Sequence, residues 1–252
     1  MNPLHLDLGT VVAEQPDPLL FATVSGAHLY GFPSRDSDVD LRGVHLLPVE
    51  QLIGLGAPDE TRSRTWDRDG VEMDLVTHDL RKFVTLLLRP NGYVLEQLLS
   101  PLVVHTCAAH AELVALAPGV VTSNHAHHYR GFATTQWRLF EKSGELKPLL
   151  YTFRTLLTGI HLMRSGEVQA SLPVLLDEVG EAPGRLRELI AAKEAAEHGP
   201  AAAAGVDRAA VAAQVETLHA VLEQARSDSA LPTAPSVREA LGDFVVRVRL
   251  AR

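Results

Sequence analysis

The chain has 252 residues, a formal net charge of −8, 46% hydrophobic residues and 21% charged residues. This composition excludes wholesale disorder and supports a sizeable core. A single cysteine, Cys107, excludes an intrachain disulfide and a four-cysteine zinc site.

The length suits one domain, or one core with a helical extension. Phe21 to Ser25 is β-branched and apolar and stops at Gly26, which predicts a buried strand. Gly26 to Asp38 is rich in Gly, Ser, Pro and Asp, so a loop or short helix is expected. Val39 to Leu47 predicts a second strand, ended by Pro48, and Gly54 to Trp66 reads as loop. Asp69-Gly70 marks a hairpin turn, and Val71 to Thr77 alternates with a period of two. Asp79 to Arg89 switches to a helical pattern, which Pro90 stops. Beyond residue 108 the pattern is helical, with helices expected over about 125–142, 147–164, 184–198 and 207–227. Ala191 to Ala213 holds 12 alanines broken by Gly199-Pro200 and Gly205, a loosely jointed helix pair or a mobile insert. Asp243 to Leu250 alternates and reads as a terminal strand. Strands first and helices later predict an α+β chain, with a core over residues 1–105 and a helical region over 106–252.

The start, Met1 to Asp7, has neither a basic end nor an apolar run, so no signal peptide and no membrane partner are expected. The default compartment is the cytoplasm. The acidic total argues against an extended nucleic-acid footprint. Residues 121–165 nevertheless carry six Lys and Arg against two acids, enough for a local phosphate patch.

Chemistry concentrates at Asp38 and Asp40. They stand two apart at the start of a predicted strand, so they share one face at about 7 Å spacing. Paired carboxylates repel unless a cation sits between them, and Mg²⁺ is a hard ion that takes oxygen ligands. The next alternating strand puts Val71, Met73 and Leu75 toward the core and Glu72 and Asp74 on the acidic face. Asp74, in mid-strand, is the expected third ligand; Glu72, nearer the turn, is assigned to solvent. Three carboxylates around two metal ions form an apparatus for in-line phosphoryl transfer, and the Gly26 turn lets backbone N–H groups approach phosphate. By parity Arg42 faces the side of Asp38 and Asp40, where it pairs with a carboxylate or touches a phosphate.

Lys147, Tyr151 and Arg154 are spaced by four and three, one face of a helix. They offer two cations and a ring to a triphosphate or an RNA backbone, or they form an ordinary polar stripe. His125, His127 and His128, with His105 and His110 nearby, match no zinc spacing, and His125 and His127 read as helix-surface residues.

The string SGAHLYGF followed by SRDSDVDLRGVHLLP resembles the nucleotidyltransferase superfamily that includes DNA polymerase beta. In particular it is similar to the RlaP-type predicted nucleotidyltransferases associated with RNA repair. The resemblance extends to NGYVLE at Asn91, HYRGF at His128 and KPLLYTFR at Lys147. It implies a polymerase-beta-like palm, a small mixed sheet, with a helical C-terminal half. It also implies Asp38, Asp40 and Asp74 as catalytic metal ligands, with two Mg²⁺ ions and Mn²⁺ as a substitute. Gly26, Ala27, Arg42, Lys147, Tyr151 and Arg154 are the implied substrate contacts. The implied reaction moves a nucleoside monophosphate from an NTP to an RNA 3′ end and releases pyrophosphate. A small molecule or protein side chain as acceptor, or a non-catalytic nucleotide-binding module, is the alternative. Ala27 departs from the pattern, because it stands where a phosphate-binding Ser is common.

Overall fold

The computed structural model describes residues 6–34, 36–195 and 200–251. Its elements, in chain order, are α1 (Leu8–Ala13), β1 (Leu19–Val24), α2 (Gly26–Tyr30), β2 (Val39–His45), α3 (Val49–Ile53), β3 (Thr61–Arg68) and β4 (Val71–Asp79). There follow α4 (Leu80–Leu87), α5 (Gly92–Leu98), β5 (Val103–His105), α6 (Ala108–Leu116), α7 (His125–Ser143) and α8 (Leu146–Ser165). The chain ends with α9 (Leu172–Glu178), α10 (Leu186–Ala195), α11 (Arg208–Asp228) and α12 (Arg238–Leu250). This is an α+β chain. By internal contacts it forms two compact units. The first comprises the chain up to Leu29, Asp38–Val120 and the segment from Pro235 onward. The second comprises Tyr30–Ser37 and Val121–Ala234.

The first unit is built on a five-stranded mixed sheet in the order β3-β4-β2-β1-β5. β1 runs antiparallel to β2 and β5, β3 antiparallel to β4, and β2 parallel to β4. Period-two alternation decides the faces. Val39 and Leu41 of β2 join Met73 and Leu75 of β4, Val24, Leu8 and Val11 in one buried cluster. The intervening residues Asp40, Arg42 and Asp74 therefore stand on the opposite face. There Phe21, which pairs with Val44, stacks on His110 and meets Phe83 edge-on.

Two expectations fail in this unit. Residues 61–66 are not loop but belong to β3, the outer strand of the hairpin turned by Asp69 and Gly70, both at positive φ. β3 pairs only with β4 and is largely exposed, so it lacks the apolar alternation that marks half-buried strands. Asp243 to Leu250 is not a strand but lies within α12. Its Leu241, Phe244 and Arg249 are buried at roughly helical spacing.

The second unit is helical. α8 is its axis, with 15 of its 20 residues buried. Gly159 allows the close approach of its neighbours: a Cβ there would stand 2.9 Å from Cβ of Tyr129 and 3.0 Å from Cδ1 of Leu222. The alanine-rich stretch is a helix pair in its described parts, α10 and α11, joined through a short 3₁₀ turn at Ala201–Ala204. Gly199 lies outside the described residues. The larger neighbours carry the packing: Leu186, Leu189 and Ile190 on α10, and Val211, Val215, Leu218 and Leu222 on α11. Among the described residues no helix is long and apolar enough to cross a membrane. Cys107 is a free, half-buried thiol.

Candidate active site

β2 and β4 are parallel neighbours in a register that places Asp40 beside Asp74. Both carboxylates reach one guanidinium. Arg42 Nη2 donates to Asp40 Oδ1 at 2.5 Å and to Asp74 Oδ2 at 2.8 Å. Arg42 Nη1 donates to the backbone carbonyls of Leu41 at 2.9 Å and Asp74 at 2.7 Å. Its Nε–H donates to the Tyr93 hydroxyl at 2.8 Å. A guanidinium has five N–H donors, and all five are used. Burial works against the charge of Arg42, but Tyr93, Asp40 and Asp74 outweigh it and raise its pKa above the ordinary value. The side chain of Arg42 is 8% exposed, against 17% for Asp40 and 30% for Asp74. The cation is sealed in while its carboxylates still face outward.

The glycine turn closes on this cluster. Gly26 has φ +61°, and a Cβ there would overlap Oδ2 of Asp40. The turn thus requires glycine twice over, for its backbone and for the space that Asp40 fills. Ser25 N–H donates to the Asp40 carbonyl at 2.8 Å. The fully buried Ser25 hydroxyl has no hydrogen-bond partner among the described residues. Asp74 Oδ1 meets the Thr65 hydroxyl of β3 at 3.5 Å, a long contact. Asp38, half-buried just before β2, makes no side-chain hydrogen bond or ion pair among the described residues.

Asp40 and Asp74 side by side, Asp38 two residues before Asp40, and an orphaned hydroxyl beside a glycine cradle are oxygen donors of the kind a hard divalent ion takes. Among the described residues no three His, Cys, Asp or Glu side chains already converge as a cage. Mg²⁺ does not demand one. It is commonly held by one or two carboxylates together with substrate phosphates and water.

Sequence comparison matches this chain to RlaP, described as the RNA repair pathway DNA polymerase beta family, over residues 2–247. The chain belongs to that family. It is also similar to an uncharacterised protein of Methanocaldococcus jannaschii, 33% identical over 153 residues, which are 60% of this chain. The match spans 63% of that relative's length. Among solved structures it resembles a nucleotidyltransferase-like protein from Exiguobacterium sibiricum. That likeness has a TM-score of 0.33 and 12% identity, over 97% of this chain and 77% of the other.

In this RlaP family member, Gly26, Asp40, Arg42 and Asp74 meet in the first unit, where Ala27 also sits, buried in α2. Lys147, Tyr151 and Arg154 lie on α8, in the second unit. Arg154 is buried, its guanidinium 3.8 Å from the centre of the Tyr30 ring. Tyr151 stands edge-on to Tyr30 and Phe32. Lys147 is half-buried. His125 is not a surface residue as expected; it is 1% exposed, and burial lowers its pKa to about 4. Its Nδ1 stands 3.1 Å from the Thr122 backbone and hydroxyl, a helix-entry role.

Tyr93 and Thr65 join the site without having been expected from the sequence. Tyr93 opens α5, whose N-cap is Asn91. The string Asn91-Gly92-Tyr93 therefore signals a helix start that aims a phenol at Arg42. Thr65 was hidden inside the unrecognised strand β3.

Proposed function

We propose that this RlaP family member is a metal-dependent nucleotidyltransferase that moves a nucleoside monophosphate from an NTP to a hydroxyl of an RNA 3′ end. The observation that carries the reading is the side-by-side pair Asp40 and Asp74, on parallel strands, against the Gly26 turn.

In the reaction the acceptor hydroxyl oxygen bonds to the α-phosphorus, the bond from that phosphorus to the bridging oxygen breaks, and pyrophosphate leaves. Asp38, Asp40 and Asp74 would hold Mg²⁺, which supplies charge neutralisation for the leaving pyrophosphate and acidifies the attacking hydroxyl. Asp74 presents Oδ1, the oxygen not held by Arg42, to take the hydroxyl proton. The backbone at Gly26 and Ala27 offers N–H groups to phosphate oxygens, a role that does not need the hydroxyl missing at Ala27. An RNA acceptor is supported by the family's description as an RNA repair pathway family, and a short terminus rather than a long duplex by the charge of −8.

The test is pyrophosphate release with each NTP in turn, Mg²⁺ or Mn²⁺, and short single-stranded RNA present or absent. RNA-dependent release with a lengthened RNA is expected, and Asp40→Asn should lower it by at least about 100-fold. Full activity in Asp40→Asn would sink the mechanism. Release that ignores RNA would move the acceptor to a protein side chain or a small molecule.

A further inference from the structure

The chemistry above uses the carboxylates and leaves Arg42 unexplained. A cation in the middle of a metal site is unexpected, since it competes for the same oxygens. Here it is not a passing contact. Nη1 is fixed by two backbone carbonyls, Nε by Tyr93, and Nη2 bridges Asp40 and Asp74. Releasing it would break five hydrogen bonds and leave the backbone carbonyls of Leu41 and Asp74 without that donor. Arg42 occupies Asp40 Oδ1 and Asp74 Oδ2, while Asp74 Oδ1 has only the long 3.5 Å contact with Thr65.

We propose that Arg42 is the resident counter-ion of this site, a positioning residue that holds Asp40 and Asp74 together when no metal is bound. The two carboxylates that Arg42 bridges and its one positive charge leave this pair with a formal charge of −1, so the guanidinium offsets half of their negative charge. The sheet thus keeps its shape without metal, and Arg42 does part of the charge work of the second of the two expected ions. The inference deepens the metal-site reading above and rests on it for the part that concerns metal.

The experiment compares the wild type, Arg42→Gln, and Arg42→Gln combined with Asp74→Asn. Thermal unfolding is followed in EDTA and across a Mn²⁺ titration. The wild type should unfold at a somewhat higher temperature in Mn²⁺ than in EDTA, by a smaller step than Arg42→Gln shows. Arg42→Gln should unfold at least roughly 5 °C lower in EDTA and recover in Mn²⁺. Its stabilisation by Mn²⁺ should reach half at a roughly tenfold lower concentration than the wild type, because a positive neighbour is gone. The double variant should recover in EDTA alone. Loss of mere packing moves none of these in that pattern. An Arg42→Gln protein equally unstable with and without Mn²⁺, and not rescued by Asp74→Asn, would overturn the proposal. Should Arg42→Gln fail to fold, folding of the double variant supports the proposal and its failure overturns it. Rescue by Asp74→Asn with no response to Mn²⁺ in any variant would uphold Arg42 as counter-ion and sink the metal reading instead.

Discussion

β4 carries two aspartates, each joined to an arginine, and the two pairs are built for different ends. Asp79, at the strand's end, is fully buried. Both of its oxygens accept from Arg249 Nη2 at 2.9 Å, Oδ2 also accepts from Leu47 N–H at 3.1 Å, and Oδ1 caps α4 through Arg81 N–H at 2.9 Å. Arg249 Nη1 donates to the Leu47 carbonyl at 2.6 Å. Nothing on that carboxylate is left for a ligand. Asp74, five residues earlier, gives one oxygen to Arg42 and keeps the other for a 3.5 Å contact, with its side chain 30% exposed. The difference separates a carboxylate that holds a fold from one with an oxygen to spare, as the proposed reaction requires of Asp74. The first has every lone pair spoken for. The second is half satisfied, on the side away from solvent only.

The comparison breaks most visibly at Arg249. Arg249→Met leaves a buried carboxylate without its charge partner, which typically costs about 3–5 kcal/mol. It also frees α12 from the sheet, since that helix reaches Leu47 and Asp79 through Arg249. Urea unfolding should show a loss of that size, and Asp79→Asn a comparable one. Asp74→Asn should cost about 1 kcal/mol or less, because it removes one of two neighbouring negative charges and leaves Arg42 paired with Asp40. Equal losses at Asp74 and Asp79 would erase the distinction.

Gly26→Ala probes the other oxygen of the open pair. The left-handed backbone alone costs an alanine about 1–2 kcal/mol. The added Cβ would also displace Asp40 Oδ2, the oxygen that Arg42 does not hold. The expected result is a stability loss of about 2 kcal/mol with pyrophosphate release falling by at least about 100-fold. A loss of stability with full activity would mean that the orientation of Asp40 is not part of the chemistry.

Much of this is legible in the sequence. Alternation put Asp40, Arg42 and Asp74 on one face, because Val39, Leu41, Met73 and Leu75 had to face the core. The long helices α7, α8 and α11 fell within a residue or so of their expected bounds, because Gly144 and Gly166 end the first two in the left-handed conformation and Asp207 caps the start of the third. The rest depended on what meets what. β3 earns its strand state from pairing with β4, not from burial, so its sequence carries no alternation. Phe244 to Leu250 fits either period, and only the neighbours that bury Phe244 and Arg249 decide for helix. Parity already set Arg42 beside Asp40, two residues away, but its bonds to Asp74 and Tyr93 join positions 32 and 51 residues apart, which no local spacing can announce.

The smallest expected effect belongs to Tyr93→Phe, and it asks how much of Arg42 is charge and how much is aim. The phenol accepts one of five hydrogen bonds, and it is 37% exposed, so water can replace it. Losing one such bond should cost about 1 kcal/mol or less in urea unfolding. The charge beside Asp40 and Asp74 is unchanged, so pyrophosphate release should fall by less than about tenfold. If Tyr93→Phe instead loses activity as completely as Asp40→Asn while its stability barely moves, the hydroxyl itself faces the substrate. The open pair would then be a triad of two carboxylates and a phenol arranged around one guanidinium.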